Sequence, residues 1–583
     1  MPRFDELLAQ TGKQGMTRRI LLRRVTAGVA GLAAFGLLAA CRAEQAPEEA
    51  AQPTPTPAAP SPTPTRPPAV VVTPQIVTPT PVQAEGKYGG EMIVTGHHEI
   101  ASLHPDDAGP AVHWVMVTQI HNGMVEVDEN YQLELVLAES YDVAADGLSY
   151  TFKLRDGVKF HDGELFNAED VKHTFEWYMN PDNAAVNAAL FRNIDRVETP
   201  DELTVVIRMK QPDAPFVVRA ATTFILPEHH HGKVGKEGYA SNPIGTGPFK
   251  LKEWRAAEYT TVEAFDEHFR GRPYLDRFTE KIVPEASVRA IMLETGEADS
   301  AVWQLLAEDN LRFAEDPNYT VFRTSSLAVN HFPINNEHPV LGDKAVRQAM
   351  MHAIDRQKVI DDIFRGTAVI ATANLSPALE AWYEPNVKQY PYDPELAKQI
   401  LEQAGWVDSD GDGIREKDGV KLSFTCTTIT GDQARRPEAE VVQQYLKAVG
   451  IDMQLAEAPT ATITEKLRAG EMDASLFNWT YGGAGGDPDA SATLRSTAVN
   501  NFSHYKNPRM DELLDNGIKE VDPQKRKEIY SEVQKLVAED VPFLYMMFWD
   551  WFNIFTKRIK GLPETALAGT QLYRKAYQWW IEE

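Results

Sequence analysis

The sequence predicts a mixed α/β body of more than one domain, and three observations carry that reading. Beyond residue 85, strand-like and helix-like stretches alternate to the end of the chain, the pattern of packed α/β layers. At ~150 residues per domain, a chain of 583 residues exceeds a single unit. Hydrophobic residues at 43% and charged residues at 24% allow buried cores beneath a solvated surface.

The first segments stand outside any fold. Arg18, Arg19 and Arg23 precede a short apolar run at residues 25–40 that ends Leu38-Ala39-Ala40-Cys41. A cationic stretch, a short apolar stretch and small residues before a cut site are the layout of a secretory signal. The ending resembles a lipobox, which makes Cys41 the lipidated first residue of the mature chain. The protein is then expected outside the cytoplasm, held to a membrane through its N-terminal lipid. The paired arginines resemble a twin-arginine signal. Residues 46–84 hold 12 prolines in 39 positions. Proline fixes φ and removes backbone donors, so this stretch reads as a tether able to span on the order of 100 Å.

The globular elements follow in order. Residues 91–95 read as a first strand, with His97-His98 after it. Thr151 to Arg155 alternate like a half-buried strand and turn at Asp156-Gly157. Asn167-Ala-Glu-Asp170 forms a capped helix entry, with Val171, Phe175 and Tyr178 on one face. His229-His230-His231 reads as a loop. Val346, Ala349, Met350 and Ala353 make one stripe of a helix beginning at Asp343. Asp393-Pro394 opens a helix with Leu396, Ile400, Leu401 and Ala404 inward, stopped by Gly405. Residues 438–449 form another amphipathic helix, ended by Gly450.

Charge and composition exclude several classes of function. The formal charge is −26, and removal of residues 1–40, with six basic and two acidic side chains, takes it to −30. That argues against nucleic acid as a partner, since phosphates demand a basic face. Two cysteines cannot build a disulfide framework or a four-cysteine zinc site. With Cys41 lipidated, Cys426 remains, in an apolar and threonine-rich strand where a buried structural thiol is expected. Nucleophile elbow, P-loop lysine and His-Glu-x-x-His are all absent, so no enzyme, cofactor or metal is predicted. Asp408-Ser-Asp410-Gly-Asp412-Gly413 matches half of an EF-hand loop, but its twelfth position is Gly419 rather than a bidentate glutamate. A turn is the expected reading there.

These landmarks also carry a family likeness. Leu148-Ser-Tyr-Thr-Phe-Lys-Leu-Arg-Asp-Gly-Val-Lys-Phe-His-Asp-Gly163 with Asn167-Ala-Glu-Asp-Val171 resembles the signature of the family-5 extracellular solute-binding proteins of bacteria, the dipeptide, oligopeptide and nickel-binding components of ABC importers. The likeness continues through Asn242-Pro-Ile-Gly-Thr-Gly-Pro-Phe249, residues 265–276, Thr295-Gly-Glu-Ala-Asp299, Asp343 to Ala349, Tyr392 to Ala397, Ala448-Val-Gly-Ile451 and Asp487-Pro-Asp489. It is collinear over residues 87–583.

The resemblance implies a periplasmic-binding-protein-like clamshell of two lobes. Lobe I would comprise residues 86–121, 235–324 and 545–583, with an accessory domain at 122–234 and lobe II at 325–544. It implies a monomer that captures a peptide or peptide-like solute and delivers it to ABC permease subunits served by a separate ATPase. A sensing receptor of the same fold, or a binder of oligosaccharide or metal chelate, is the alternative.

Candidate ligand contacts follow from residue chemistry and the resemblance together. Trp479 and Tyr481, followed by four glycines among residues 482–486, suit an aromatic platform with approachable backbone. The resemblance places an acidic partner for a peptide ammonium three residues after the tryptophan, where this chain has Gly482; Asp487 is the nearby carboxylate. Arg436, in an Arg435-Arg436 pair at a helix start, is the candidate for a solute carboxylate. Trp303, Trp549 and His98 fall at expected lobe edges.

Overall fold

The chain divides into two units, Met1–Pro68 and Ala69–Glu583. The computed structural model describes residues 86–583, apart from residues 101, 108–110, 128–130, 132, 221–222, 303–304, 431, 433–434, 566–568 and 583. The first unit, Cys41 and the proline-rich segment therefore lie outside the described residues, as does Trp303.

A nine-stranded sheet organises the body. Its strands are β1 (Glu91–Gly96), β2 (Phe249–Arg255), β3 (Tyr259–Ala264), β4 (Arg277–Ile282), β5 (Ser300–Ala301), β6 (Tyr319–Pro333), β7 (Ala368–Ile370), β8 (Phe477–Thr480) and β9 (Phe543–Thr556). They run in the order β8-β6-β9-β5-β1-β4-β3-β2, with β7 also paired to β9. The long antiparallel pair β6/β9 carries the sheet from one lobe into the other.

On one side, β1 to β5 and the C-terminal segment enclose a core of Met92, Val94, Phe278, Tyr573 and Trp579. The C-terminus returns to the start of β1. The strand pair Ile559–Lys560/Trp580–Ile581 brings Ile581 against Gly90 and Trp580 beneath the Lys87 ammonium. On the other side, a three-stranded sheet centred on Ser423–Ile429 packs with helices in a core that includes Val346, Met350, Leu401 and Met547. Cys426 is buried there as a free thiol, and burial pushes its pKa up. A four-stranded antiparallel sheet within residues 138–209 has its own core around Phe152, Phe175 and Ile207.

Local chemistry explains these elements. The helix α1 (Ala111–Ile120) precedes α2 (Ala168–Met179), where Asn167 and Asp170 form the reciprocal capping box and Val171, Phe175 and Tyr178 are buried. Helix α3 spans Glu228–Ser241 with a break at Gly235 (φ 68°). The three consecutive histidines thus begin a helix rather than a loop. Proline at 227 leads into it and the Asp170 carboxylate accepts from the Glu228 N–H, long-range help that the residues themselves do not announce. Asp343 caps α4 (Lys344–Ala353), whose expected stripe is buried. Asp393 caps α5 (Pro394–Gln403), and Gly405 follows at φ 87°.

The histidines point three ways. His229 reaches Asp162 at 2.8 Å, His230 reaches the Asn242 carbonyl at 3.0 Å, and His231 turns inward. There it joins a buried chain whose tautomers are fixed by its partners. The Asp106 N–H donates to His104 Nδ1, so His104 Nε2 carries the proton and donates to His231 Nε2 at 3.2 Å. His231 then donates from Nδ1 to His173 Nε2 at 2.9 Å. Burial first, then neighbouring positive charge, lowers His104 to about 3 and His231 to about 4.

Because these folded values lie below the unfolded ~6.5, the unfolded chain takes up more protons as acid is added. Their contribution is therefore complete above pH ~6.5 and is lost as pH falls toward 4. We expect the two together to cost about 2 kcal/mol per pH unit below 6.5. Urea unfolding midpoints at pH 7.5, 6.0 and 5.0 should fall in step, with a shallower fall for His231→Phe.

Candidate functional site

The crossing of β6 and β9 is the centre of the site. Ser325 pairs with Asp550 and Val329 with Phe548, so residues 326–328 face the single residue Trp549. This bulge bends the sheet where the lobes join. It satisfies itself: Ser326 Oγ donates to the Ala328 carbonyl at 3.1 Å and accepts from its N–H at 3.2 Å. The Leu327 carbonyl accepts from the Tyr481 N–H at 3.2 Å, tying the bulge to the glycine-rich loop. Arg323 brackets the crossing by donating to Asp550 and to the Gly366 carbonyl.

Two of the expected aromatic residues flank this bulge on the strands either side of β6, Trp479 packing with Val329 and Phe548 and Trp549 with the core that holds Met547. Trp479 lies across from Val329 on β8, half-buried, with its ring edge-on to Phe502 at 6.3 Å. Trp549 is half-buried on β9 near Phe364, its indole N–H in no hydrogen bond. Tyr481 belongs instead to the core: it is 2% exposed and its hydroxyl pairs with Thr493 Oγ1 at 2.9 Å. On the lobe I side, β1 and β5 lie parallel and in register, Thr95 beside Ala301, so their C-terminal ends emerge together. Strand ends of this kind are where α/β folds place ligands. His98, exposed, follows β1 with its ring 3.8 Å from that of His97.

Asp487 is engaged elsewhere. Its two oxygens accept from Arg526 at 2.7 and 2.9 Å, while Arg526 also donates to the Gly517 carbonyl and lies over Trp382 and Tyr530. Asp487, the nearby carboxylate expected as a candidate contact, is thus already paired with Arg526.

The arginine pair also divides differently from the expectation. Arg436 donates to Glu440 and lies 3.4 Å from Glu457. Arg435 reaches the sheet instead, donating to Asn478 beside Trp479 and to Asp432. The helix phase holds the reason. In α6 (Arg435–Lys447) the buried positions Glu438, Ala439, Val442 and Leu446 form a stripe that includes position 435 and leaves 436 beside 440. Beneath Arg435, Glu438 is fully buried, and burial raises its carboxyl to about 8. Its Oε2 accepts from Asn330 at 2.6 Å. The Arg435 charge is met instead by the Asp432 carboxylate, with which it forms an ion pair.

The glycine loop answers to protein contacts. A Cβ on Gly485 would run into Val218, and one on Gly486 would stand 2.9 Å from the Tyr131 ring. Gly482 and Gly486 also need positive φ, 89° and 71°. Residues 131 and 218 lie in the segment that carries the four-stranded sheet, and the Ala214 N–H donates to the Ile518 carbonyl at 2.8 Å. The segment that carries this sheet thus touches the chain around residues 485–486 and 518.

Among the described residues, Asp408, Asp410 and Glu416 form the one acidic triad of metal-like spacing. The Lys421 ammonium already contacts Asp410 and Asp412 there. No described helix is long and apolar enough to cross a membrane.

Two lobes joined by a bulged strand pair, with Trp479 and Trp549 on the strands that flank it, define a hinged solute-binding protein. The chain belongs to the bacterial extracellular solute-binding proteins, family 5, whose model matches residues 132–501. It is 30% identical to the oligopeptide-binding protein AppA of Bacillus subtilis over 515 residues, 85% of this chain and 92% of AppA. It is 28% identical to the glutathione-binding protein GsiB of Salmonella typhi over 82% of this chain and 93% of GsiB. Its fold matches AppA in complex with a nonapeptide at TM-score 0.72, with 28% identity over 86% of this chain and all of that one. It matches NikZ of Campylobacter jejuni with Ni(L-His) at TM-score 0.72, with 27% identity over 84% of this chain and 99% of that one. These relatives are binding proteins rather than enzymes, and the family acts outside the cytoplasm.

Proposed function

We propose that this protein captures a peptide or peptide-like solute between its lobes, Trp479 and Arg435 contributing contacts, and hands it to an ABC permease. Lobe I is assigned to residues 86–121, 235–324 and 545–583, the accessory domain to 122–234 and lobe II to 325–544. Closure would be a hinge motion about the 326–328 bulge, driven by a solute that touches both lobes. The observation that carries the reading is the bulged crossing of β6 and β9, with Trp479 and Trp549 on the strands that flank it and the Arg435–Asn478 contact at its edge.

The choice of solute follows from charge. Gly482 supplies no carboxylate and Asp487 is paired with Arg526, whereas Arg435 is the guanidinium nearest Trp479, which an acidic end would share with or take from Asp432. Peptides, glutathione and a histidine complex, the ligands named for the relatives, all carry amino-acid carboxylates. We therefore expect acidic or N-blocked peptides to bind better than basic ones.

Thermal-shift titration of the full-length protein with peptides, oligosaccharides and nickel–histidine checks this. Peptides should raise the melting temperature and Arg435→Ala should weaken the shift at least tenfold in concentration. A folded protein that responds to none of the three classes overturns solute capture. His98 and Trp303 remain proposed lobe I contacts. Lipidation at Cys41 is tested by fractionation: Cys41→Ser should move the protein from membranes to the soluble fraction.

A further inference from the structure

A buried charge imbalance lies away from the cleft. The hairpin Val125–Val127/Leu133–Leu135 sets Glu126 directly opposite Glu134, both buried. Like charges in that position repel and need cations. Glu134 accepts from Arg270 at 3.3 Å and Lys575 at 2.7 Å, and Glu126 accepts from the Asn122 amide at 2.9 Å. Arg574 is the third cation facing two carboxylates. It is 6% exposed, lies over the Phe224 ring, and none of its three guanidinium nitrogens has a hydrogen-bond partner.

Those donors face a cavity lined by Glu126, Pro563, Gln571, Arg574 and Lys575, with about 10 Å³ open to the centre of a water-sized sphere. That is room for one small particle. A water would satisfy N–H groups but leave one positive charge uncompensated in a dry setting, which is costly. A monatomic anion does both, since it only accepts hydrogen bonds and carries the missing charge.

We propose that Arg574 and Lys575 hold a single halide-sized anion, chloride in the cell, between the C-terminal segment and the base of this hairpin. The hairpin tip carries Tyr131, which packs on Gly486, so the anion would steady the contact that reaches the cleft loop.

The test melts the full-length protein at one ionic strength in sodium chloride, sodium bromide and sodium gluconate. Both halides should raise the melting temperature by ~1–3 °C over gluconate, and Arg574→Gln should erase that difference. Should the variant fail to fold, crystals of the unaltered protein grown in bromide decide the matter. An anomalous peak touching the Arg574 guanidinium supports the site. Equal melting in all three salts, an undiminished halide effect in Arg574→Gln, or a water without anomalous signal overturns it.

Discussion

Gly247→Ala is expected to abolish folding, at a cost above about 4 kcal/mol. The Cβ it adds would fall well inside contact distance of the Gln119 and Ile120 carbonyls, which are backbone and cannot step aside. Gly247 also donates its N–H to the Ile120 carbonyl at 2.9 Å, and Gly245 accepts from the His161 N–H at 3.0 Å. The Gly-Thr-Gly run therefore seats the end of α1, and side chains are excluded there by close approach rather than by φ. Soluble yield and near-UV circular dichroism should both collapse. Gly232→Ala on α3, which meets only ordinary contacts, should stay within about 1 kcal/mol of the parent.

Arg526→Met should cost about 3–5 kcal/mol, because it leaves the Asp487 carboxylate buried and uncompensated. The pair is enclosed, at 6% and 11% side-chain exposure, and solvent cannot take over the lost contacts. Removing both charges, in Arg526→Met with Asp487→Leu, should recover most of the loss. Urea unfolding of the two single variants and the double variant gives the coupling directly. An additive cycle would mean that Asp487 is not held by Arg526, and would return it to the list of solute contacts.

Much of this fold was legible in the sequence because its signals are local. Asn167 with Asp170, and Asp393 before Pro394, declare helix starts within four residues. The stripe through Val346 and Met350 declares which face is buried. The site was less legible because its partners come from far along the chain. Nothing near Asp487 foretells Arg526, and nothing near Gly485 foretells Val218. The same holds for the histidines of α3, whose helix is secured by Asp170 and whose inward member is met by His104 and His173. Arg435 is the instructive case, since the phase of Ala439, Val442 and Leu446 already distinguishes it from Arg436.

The packing of Ile581 on Gly90 has a mechanical meaning. Both ends of the described chain pack together, so the proposed N-terminal tether would make their jaw the stator and leave the proposed lobe II as the travelling part. A fluorophore fused after residue 583 would ride with the stator and record nothing of closure. One attached at Val499, 74% exposed on lobe II, would move against it and could follow each capture in real time.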